Sequence, residues 1–266
     1  MKMNLDLKRT LAVAELLARE AGALAIELQS NLGDVHYKTV KDVVTKADLA
    51  CEKIIVEGLK KAFPTHSICT EEAGSLVGAE SRYLWVIDPI DGTINFSRGI
   101  PFWGISIALH FNNKPLLSAV FLPRLEEMYT AIFGGGAFLN NKPIRVSQVS
   151  KASQAIISNG DFNVGDVESI NKQNLKNFEL EAKLFQRVKC FGSAVVEGCF
   201  VACGRLDLFV MTMSYPWDTA AIALIVKEAE GEVTRLDGAP IEFIDGEQVA
   251  YSNGLLHKML IDALKT

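Results

Sequence analysis

Two carboxylates leave the end of an apolar stretch with only two residues between them. Asp88 and Asp91 follow a strand that we predict at Tyr83–Ile87, in the segment Trp-Val-Ile-Asp-Pro-Ile-Asp-Gly-Thr-Ile-Asn-Phe that spans Trp85–Phe96. Carboxylates are rarely buried unless they are paired or bound to a metal. A hard cation such as Mg²⁺ prefers oxygen ligands and usually keeps water and substrate phosphate in its shell. The spacing therefore suggests a site that holds a metal and a phosphate together.

The residues beside these acids fit that chemistry, and they also fit a plain turn. Gly92 lets the backbone approach a ligand closely, and N–H groups at a helix start near Thr93 would favour phosphate. However, Asp-Pro and Asp-Gly are ordinary turn dipeptides, and we predict a sharp break of the strand at Asp88-Pro89. Taken alone, this segment leaves a polar turn and a metal site as equal alternatives.

A second acidic segment could reach the same place. Glu71 and Glu72 follow a short strand predicted at Ser67–Thr70. Adjacent acids after an apolar strand usually lie on a solvated edge of the protein. If this strand lies beside the strand that ends near Ile87, Glu71 converges with the two aspartates.

Two more acids stand at helix starts. Thr45 is the predicted N-cap of a helix from Lys46 to Phe63, and Asp48 in its first turn would complement the helix dipole. Asp218 falls at or near the N-cap of a later helix, and capping alone would explain it. Each acid becomes a candidate ligand or base only if the fold brings it to the others.

The elements that must position these acids form two unlike lobes. The first lobe contains helices at Leu7–Gln29 and Lys46–Phe63, followed by a run of antiparallel strands from Phe96 to Val146. The second lobe alternates strands and helices, which predicts a partly parallel sheet. We expect residues 1–147 to carry most of the metal ligands and residues 148–266 to complete the active site.

Shorter signals fix the remaining elements. Asn31–Gly33 is predicted to stop the first helix, and Asn163–Asn177 is predicted to be a polar loop that leads into a helix. Hairpin turns are predicted at Asn112–Lys114 and Asn140–Lys142. The strands predicted in the second lobe are Ala155–Ser158, Arg187–Phe191, Leu206–Met211, Glu232–Leu236 and Val249–Ser252.

The composition argues against several classes of protein. Of the 266 residues, 49% are hydrophobic and 22% are charged, the balance of an ordinary globular protein. The net charge of −5 gives no indication of nucleic-acid or membrane partners. Met1–Arg9 lacks the apolar core of a signal peptide, and the longest apolar run, Ala220–Val226, is too short to span a bilayer. The five cysteines show no disulfide or zinc spacing, so we expect reduced thiols and a cytoplasmic location.

Four segments can now be compared together: Asp42-Val-Val-Thr-Lys-Ala-Asp48, Glu71-Glu72-Ala-Gly74, Trp85–Phe96, and Trp217-Asp218-Thr-Ala-Ala followed by Glu228-Ala-Glu-Gly231. In this order and spacing they resemble the inositol monophosphatase family of Mg²⁺-dependent, often lithium-sensitive phosphatases. The resemblance covers nearly the whole chain. It implies an α/β fold, the αβαβα sandwich of the inositol monophosphatase and fructose-1,6-bisphosphatase type, with an antiparallel sheet in the first lobe and a mixed sheet in the second. It also implies a homodimer.

The resemblance implies a role for each matching metal ligand. The first metal would be held by Glu71, Asp88 and the backbone carbonyl of Ile90. The second metal would be held by Asp88, Asp91 and Asp218, and a third, weaker metal would lie near Glu71. Two metal ions can stabilise the attacking and leaving oxygens of an in-line displacement at phosphorus. Two or three Mg²⁺ ions per site are therefore expected.

The resemblance also implies the residues that handle water and substrate. Thr93 and Asp48 would orient and deprotonate the attacking water, with Glu71 as the third member of the catalytic set. The backbone around Gly92 and Thr93 would cradle the phosphate. The residues implied to contact the substrate are Asp91, Gly92, Thr93, Gly192, Ser193, Ala194 and Asp218.

Two positions depart from the family pattern. Ile94 stands where many members carry a small hydroxyl residue, which changes packing beside the site. Met211 stands seven residues before Asp218, where inositol phosphatases usually carry a glutamate that accepts hydrogen bonds from the inositol hydroxyls. A thioether accepts hydrogen bonds only weakly. The sequence therefore predicts a phosphatase of a small phosphomonoester, namely an inositol phosphate or a related polyol, sugar or amino-alcohol phosphate. Asp161 could contact the substrate, although a turn residue is the favoured interpretation.

Two other functions stay open. A nucleotide 3′-phosphatase or a fructose bisphosphatase-type enzyme would need a basic patch for a second phosphate, and the candidates are Lys38, Lys41, Arg187 and Lys189. A non-catalytic regulatory protein could use the same fold. The complete acidic set argues against this last function, because a protein without catalysis has no need of it.

Overall fold

The computed structural model describes residues 5–30, 36–37, 43–76, 81–160, 162 and 168–265. Some features predicted from the sequence lie outside these residues. They are the helix stop at Asn31–Gly33, Asp42 of the first family-like segment, the basic candidates Lys38 and Lys41, and Asp161.

Two helices pack together on one face of the larger sheet. α1 (Leu7–Gln29) begins after Asp6, whose Oδ1 accepts the Arg9 N–H at 3.1 Å. Next come β1 (His36–Tyr37) and β2 (Val43–Val44), which form an antiparallel pair. α2 (Lys46–Ala62) begins after Thr45, as predicted. Buried small and apolar side chains join the helices to the sheet, among them Ala14, Ala18, Cys51, Ile55, Trp85 and Ile105.

The larger sheet holds most of the first lobe. Its strands are β3 (Ser67–Thr70), β4 (Gly74–Leu76), β5 (Tyr83–Asp91), β6 (Gly104–Phe111), β7 (Lys114–Leu122), β8 (Glu127–Ile132), β9 (Gly136–Leu139) and β10 (Lys142–Ile144), with α3 (Thr93–Ser97) between β5 and β6. They lie in the order β10-β9-β8-β7-β6-β5-β3-β4. The antiparallel run is confirmed from β6 to β10, although it begins at Gly104 because Phe96 is helical. The sheet as a whole is mixed, since β3 pairs with β5 in parallel.

Both predicted hairpin turns of this sheet are present. Asn112 and Asn113 have φ angles of 49° and 58°, and Asn140 and Asn141 have φ angles of 48° and 63°. Two consecutive positive φ angles define the tight turns that match the twist of a hairpin, and asparagine tolerates them better than most residues.

The strand that carries the central acids does not end where the sequence predicts. We expected a break at Asp88-Pro89, but β5 continues to Asp91. Its pairing with β6 shifts register between Asp88 and Asp91, which is a β-bulge. Proline lacks an N–H group for the ladder, and a bulge is one of the few places where a strand tolerates it. The acids thus leave a bulged strand end and not a free turn.

The second sheet is mixed, as expected. It contains β11 (Ile156–Asn159), β12 (Arg187–Lys189), β13 (Leu208–Met211), β14 (Glu232–Arg235) and β15 (Val249–Ser252), in the order β12-β11-β13-β15-β14. The strands β12, β11 and β13 are parallel, and β15 and β14 continue the sheet antiparallel. Its helices are α4 (Glu168–Leu184), α5 (Ala194–Ala202), α6 (Pro216–Glu228) and α7 (His257–Leu264).

The structure corrects the predicted loop at Asn163–Asn177. α4 is helical from Glu168 onward, while residues 163–167 lie outside the described part of the chain. The face of α4 that is buried against the protein is polar and consists of Asn174, Asn177 and Glu181. A helix with a polar buried face lacks the apolar period of 3.6 residues that identifies amphipathic helices in sequences. The prediction failed for that reason.

The elements stack in five layers. α1 and α2 cover the outer face of the larger sheet, and α5 and α6 lie between the two sheets. Apolar residues of α7 and the end of α4 cover the outer face of the smaller sheet. This arrangement confirms the αβαβα sandwich. The division at residues 147 and 148 stays a prediction, because α6 packs against strands of both sheets. Among the described residues, no helix combines the length and apolar character needed to cross a membrane.

Candidate active site

Three aspartates from two distant parts of the chain meet in the structure. Asp88, Asp91 and Asp218 each place a carboxylate oxygen within 4.8 Å of the others. The first two lie at the bulged end of β5, where the Ile90 N–H donates to Asp88 Oδ1 at 3.0 Å. Asp218 lies in the first turn of α6, and its Oδ2 accepts the Tyr215 N–H at 2.7 Å. A helix cap and a bulge therefore aim these three carboxylates at one point.

The charged forms of these carboxylates are unfavourable, because the groups are buried and repel one another. Burial raises the pKa of Asp88 well above its usual value, and the charges of Glu71, Asp91 and Asp218 raise it further. Burial also raises the pKa of Asp218, followed by the charge of Asp91. The donor set is entirely oxygen, which suits a hard divalent cation and not a soft one. A bound cation would relieve the repulsion, so the cluster fits Mg²⁺.

Glu71 lies beside the cluster without belonging to the group of three. The parallel register of β3 and β5 pairs Thr70 with Ile87, so Glu71 follows the end of β3 beside Asp88 of β5. The Glu71 N–H donates to the Ile87 carbonyl at 3.2 Å. The buried Glu52 of α2 fixes the turn that follows, since its Oε2 accepts the Glu72 N–H at 3.1 Å. The two strands thus lie side by side, which is the condition for the predicted convergence of Glu71 with the aspartates.

The hydroxyl of Thr93 and the carboxylate of Asp48 lie together next to the bulge. Thr93 Oγ1 is 3.1 Å from Asp48 Oδ1 and 3.0 Å from the Ile90 carbonyl oxygen. Asp48 Oδ2 accepts both the N–H and the hydroxyl of Thr45, at 2.8 and 2.6 Å. Burial raises the pKa of Asp48 to about 6, although the hydrogen bonds from Thr45 oppose this shift. Asp48 thus takes part in capping α2 and at the same time contacts the Thr93 hydroxyl.

The loop before α5 closes over the same turn. Gly92 has a φ of 88°, and a Cβ atom there would lie 3.1 Å from the Phe102 carbonyl oxygen and 3.2 Å from that of Gly192. Ser193 caps α5, and its hydroxyl donates to Asp91 Oδ2, which also accepts the Val195 N–H at 3.0 Å. The structure therefore brings this loop to a carboxylate of the cluster, while Ala194 lies buried in the first turn of α5.

The two departures from the family pattern lie in different surroundings. Ile94 is half exposed in α3, one residue after Thr93. Met211 is buried at the carboxyl end of β13, and its Cγ would lie 3.5 Å from a Cβ atom built at Gly160. An apolar side chain thus fills the end of this strand.

Comparison with known proteins agrees with this geometry. The sequence profile of the inositol monophosphatase family matches residues 6–266. The chain belongs to the inositol monophosphatase family. It is 36% identical to inositol monophosphatase 3 of Solanum lycopersicum over 99% of each chain. Its fold matches the IMPase of Thermotoga maritima with a TM-score of 0.88 and 34% identity over 97% of each chain.

A further member of the family was crystallised with a metal. It is an IMPase/NADP phosphatase in complex with Mg²⁺ and phosphate, with a TM-score of 0.84 and 26% identity over 98% of this chain and 96% of that one. Membership makes the protein a phosphoric monoester hydrolase, as expected from the four sequence segments.

Two residues of the site were not singled out from the sequence. Asn95, inside the Trp85–Phe96 segment, donates from Nδ2 to the Phe191 carbonyl at 2.6 Å. Glu197 of α5 accepts the Phe191 N–H at 2.9 Å. A lone acid in the otherwise apolar helix Ala194–Ala202 is a signal that could have identified Glu197. Nothing local marks Asn95, because its partner is 96 residues away.

Proposed function

We propose that this protein is a Mg²⁺-dependent phosphatase that hydrolyses a small phosphomonoester by attack of a metal-activated water. The observation that carries the proposal is the meeting of Asp88, Asp91 and Asp218 within 4.8 Å, beside the Thr93–Asp48 pair. Unaided hydrolysis of phosphate monoesters is among the slowest reactions that enzymes accelerate. Such a reaction needs positive charge close to the phosphoryl oxygens and a positioned nucleophile. The carboxylate cluster is the candidate for holding the positive charge, and the Thr93–Asp48 pair is the candidate for positioning the nucleophile.

The metal roles are those that the family resemblance implies, and the meeting of Asp88, Asp91 and Asp218 supports them. Glu71, Asp88 and the Ile90 carbonyl would hold one ion, and Asp88, Asp91 and Asp218 would hold a second. A third, weaker ion would lie near Glu71. When bound, Mg²⁺ would neutralise phosphate charge and lower the pKa of a bound water. The raised pKa values of Asp88 and Asp218 support these assignments, because they report a cluster that lacks compensating charge.

The protein's own acid–base group would be Asp48, acting through Thr93. The hydroxyl proton of Thr93 can be donated to Asp48 Oδ1, which leaves the oxygen lone pairs of Thr93 able to accept a proton from water. Because burial sets the pKa of Asp48 to about 6, its carboxylate would be charged at neutral pH and would gain a proton readily. Glu71 would complete the catalytic set beside this water.

The phosphate and the alcohol would lie on opposite sides of Gly92. The backbone around Gly92 and Thr93 would receive the phosphate, and the loop Gly192–Ala194 would border the alcohol. The hydrogen bond from Ser193 to Asp91 supports this placement, because it ties the loop to a candidate metal ligand. Asp91 and Asp218 would then face both metal and substrate.

The substrate class is a small polyol, sugar or amino-alcohol phosphate, with inositol phosphate as one member. The buried Met211 supports a site that accepts several alcohols, because a hydrogen-bonding partner for one particular hydroxyl set is missing from this strand end. A nucleotide phosphatase is the second candidate, since a relative with 26% identity is described as an IMPase/NADP phosphatase. Arg187 and Lys189 are exposed on β12 and are candidates, together with Lys38 and Lys41, for binding its second phosphate.

Three further properties are proposed from the family resemblance. We propose inhibition by Li⁺, assembly as a homodimer and a cytoplasmic location. The five cysteines support the last of these, because all are free thiols and the cytoplasm keeps thiols reduced. Sedimentation equilibrium of the purified protein would test the homodimer.

The experiment that tests the proposed function is a phosphate-release assay on a panel of phosphomonoesters. The panel contains inositol 1-phosphate, glycerol 2-phosphate, histidinol phosphate, fructose 1,6-bisphosphate and an adenosine 3′-phosphate. We expect release that requires Mg²⁺, disappears with a chelator and falls with Li⁺. Release that is unchanged by the chelator, or absent from the whole panel, would overturn the proposal.

A further inference from the structure

The loop that reaches Asp91 is held by two side chains, Asn95 and Glu197, that are not among the three clustered aspartates. The loop Phe191–Ser193 connects β12 to α5 and ends in Ser193, whose hydroxyl donates to Asp91. Gly192 within it has a φ of 73°, so the loop is not part of a regular element. Its position must be set by contacts from outside.

Buried polar side chains form hydrogen bonds with both the N–H and the carbonyl of Phe191. Glu197 Oε1 accepts the Phe191 N–H at 2.9 Å. Asn95 Nδ2 donates to the Phe191 carbonyl at 2.6 Å, and the same nitrogen is 3.3 Å from the Gly192 carbonyl. Glu197 is 1% exposed and Asn95 is 8% exposed. A hydrogen bond in the interior, away from water, is electrostatically stronger than one in solvent, so these contacts attach the loop firmly.

Glu197 and Asn95 also form hydrogen bonds with residues outside the loop. Ser158 of β11 donates its hydroxyl to Glu197 Oε1 at 2.5 Å. Asn95 also donates to the Phe102 carbonyl at 2.7 Å, and that carbonyl borders Gly92. The contacts therefore run from the second sheet through the loop to the turn after β5. They join the two parts of the molecule from which the cluster is assembled.

We propose that Glu197 and Asn95 are positioning residues of the metal site: they clamp the Phe191–Ser193 loop and thereby fix the carboxylate of Asp91 for metal binding. This inference rests on the proposed function, in which Asp91 is a metal ligand. Asp91 Oδ2 accepts hydrogen bonds from the Ser193 hydroxyl, which belongs to the clamped loop, and from the Val195 N–H in the first turn of α5, which directly follows the loop. Groups that orient a metal ligand commonly change metal affinity by about 10–100-fold when they are removed.

The clamp predicts a loss of metal affinity that exceeds any general loss of stability. In Glu197→Gln the Phe191 N–H and the Ser158 hydroxyl face a neutral amide in place of a carboxylate. In Asn95→Leu the size is nearly kept, but the Phe102 and Phe191 carbonyls lose their donor. We expect the Mg²⁺ concentration for half-maximal activity to rise about 10-fold in each variant, with kcat recovering at high Mg²⁺.

The decisive readout is metal binding without turnover. Mn²⁺ binding, followed by the electron paramagnetic resonance signal of the free ion, should weaken in both variants by the same factor as the Mg²⁺ requirement. Glu181→Gln is the matched control, because Glu181 is a second fully buried glutamate of the same part of the chain and takes its hydrogen bonds from Asn159. It should keep the wild-type Mn²⁺ affinity. Thermal unfolding of all three variants shows whether each is folded.

The outcomes separate this inference from the proposed function. If the wild-type protein neither binds Mn²⁺ nor releases phosphate, the proposed function is wrong. The positioning role of Glu197 and Asn95 is then wrong as well. If the wild-type protein does both while Glu197→Gln and Asn95→Leu keep its Mn²⁺ affinity, only the clamp is wrong. An equal loss of affinity in Glu181→Gln would also overturn the clamp, because the effect would then be a general consequence of altering a buried carboxylate. If one clamp variant does not fold, the folded one decides.

Discussion

Thr93 Oγ1 lies 3.1 Å from Asp48 Oδ1, and this contact joins the turn after β5 to the first turn of α2. The threonine has only one hydroxyl proton, and the Ile90 carbonyl at 3.0 Å competes for it. The opposite oxygen of Asp48 is held by two groups of Thr45. The acid is thus oriented by its own helix cap, with one oxygen left to face the hydroxyl.

The first prediction concerns the base. Asp48→Asn should lower kcat by about 10²–10³-fold, because an amide keeps the cap but cannot take the proton. Burial raises the pKa of Asp48 to about 6, so its contribution to stability is complete below its unfolded pKa and is lost as the pH rises through about 6. The variant should therefore unfold at the same temperature as the wild type or higher at pH 7. Steady-state assays and thermal unfolding measure both effects.

Asp6→Asn is the control for this change. Asp6 is also a helix-start aspartate, with its Oδ1 on the Arg9 N–H, but it caps α1 and lies outside the site. Its variant should keep the wild-type kcat. A kcat within twofold of the wild type in Asp48→Asn would remove Asp48 from the catalytic set.

The second prediction concerns the close approach at Gly92. In Gly92→Ala a Cβ atom would lie 3.1 Å from Ser193 Cβ and from the Phe102 carbonyl oxygen, at a φ of 88°. The strained backbone should cost on the order of 1–3 kcal/mol of unfolding free energy. Displacement of the loop should also lower kcat. Urea unfolding and steady-state kinetics measure the two losses.

Gly99→Ala separates strain from contact in this experiment. Gly99 has a φ of 71°, and nothing lies within 4 Å of a Cβ atom built there. This variant should lose stability from strain but keep its activity. Equal losses of activity in both variants would contradict a specific role for the contact between Gly92 and the loop.

The third prediction concerns pH and the buried Glu181 of α4. Burial raises the pKa of Glu181 from 4.5 to about 7. Its contribution to stability is therefore complete below about pH 4.5 and is lost as the pH rises through about 7. Glu181→Gln removes this loss, so the variant should gain stability relative to the wild type between pH 5 and pH 8, by at most about 3 kcal/mol at 1.36 kcal/mol per pKa unit.

Urea unfolding of both proteins at these two pH values gives the required difference. Other acids titrate in the same range, but they are common to both proteins and cancel. Glu179→Gln, an exposed change on the same helix, should show no such gain. A stability difference between Glu181→Gln and the wild type that is the same at both pH values would show that Glu181 does not titrate in this range.

The fourth prediction concerns the alcohol. Met211→Glu would place a hydrogen-bond acceptor at the end of β13, the residue type that the family resemblance implies for an enzyme that prefers inositol. The ratio of kcat/KM for inositol 1-phosphate over glycerol 2-phosphate should rise by about 10-fold. Met211→Leu keeps an apolar side chain and should leave the ratio unchanged. An unchanged ratio in a folded, active Met211→Glu protein would mean that this strand end does not contact the alcohol.

Much of the site could be predicted because its signals are local. Asp88 and Asp91 follow one strand, Glu71 follows its neighbour, and each lies in a segment specific enough to resemble a family. Asp48 and Asp218 have ordinary explanations as helix-start acids, and the structure shows that these explanations are also true. Both residues stand third in their helices, accept the N–H of the N-cap residue, Thr45 or Tyr215, and face the site at once. A capping signal therefore does not exclude a functional role.

What could not be predicted depends on contacts between distant residues. The polar inner face of α4 has no sequence pattern of its own, since its burial depends on Asn159 of β11 and on Thr212, which follows β13. The attachment of Asn95 to Phe191 is invisible for the same reason. The strand break expected at Pro89 failed because a bulge, which only the pairing with β6 reveals, accommodates the proline.

The most direct test of the central claim is phosphate release by Asp88→Asn. Asp88 is the one acid assigned to both metal ions, and it is buried at the centre of the cluster. The assay uses the best phosphomonoester of the panel at saturating Mg²⁺, beside wild-type protein and the surface control Asp262→Asn. We predict a folded variant whose kcat has fallen by at least about 10³-fold, because two metal sites lose a charged ligand. A wild-type kcat in Asp88→Asn would contradict the account.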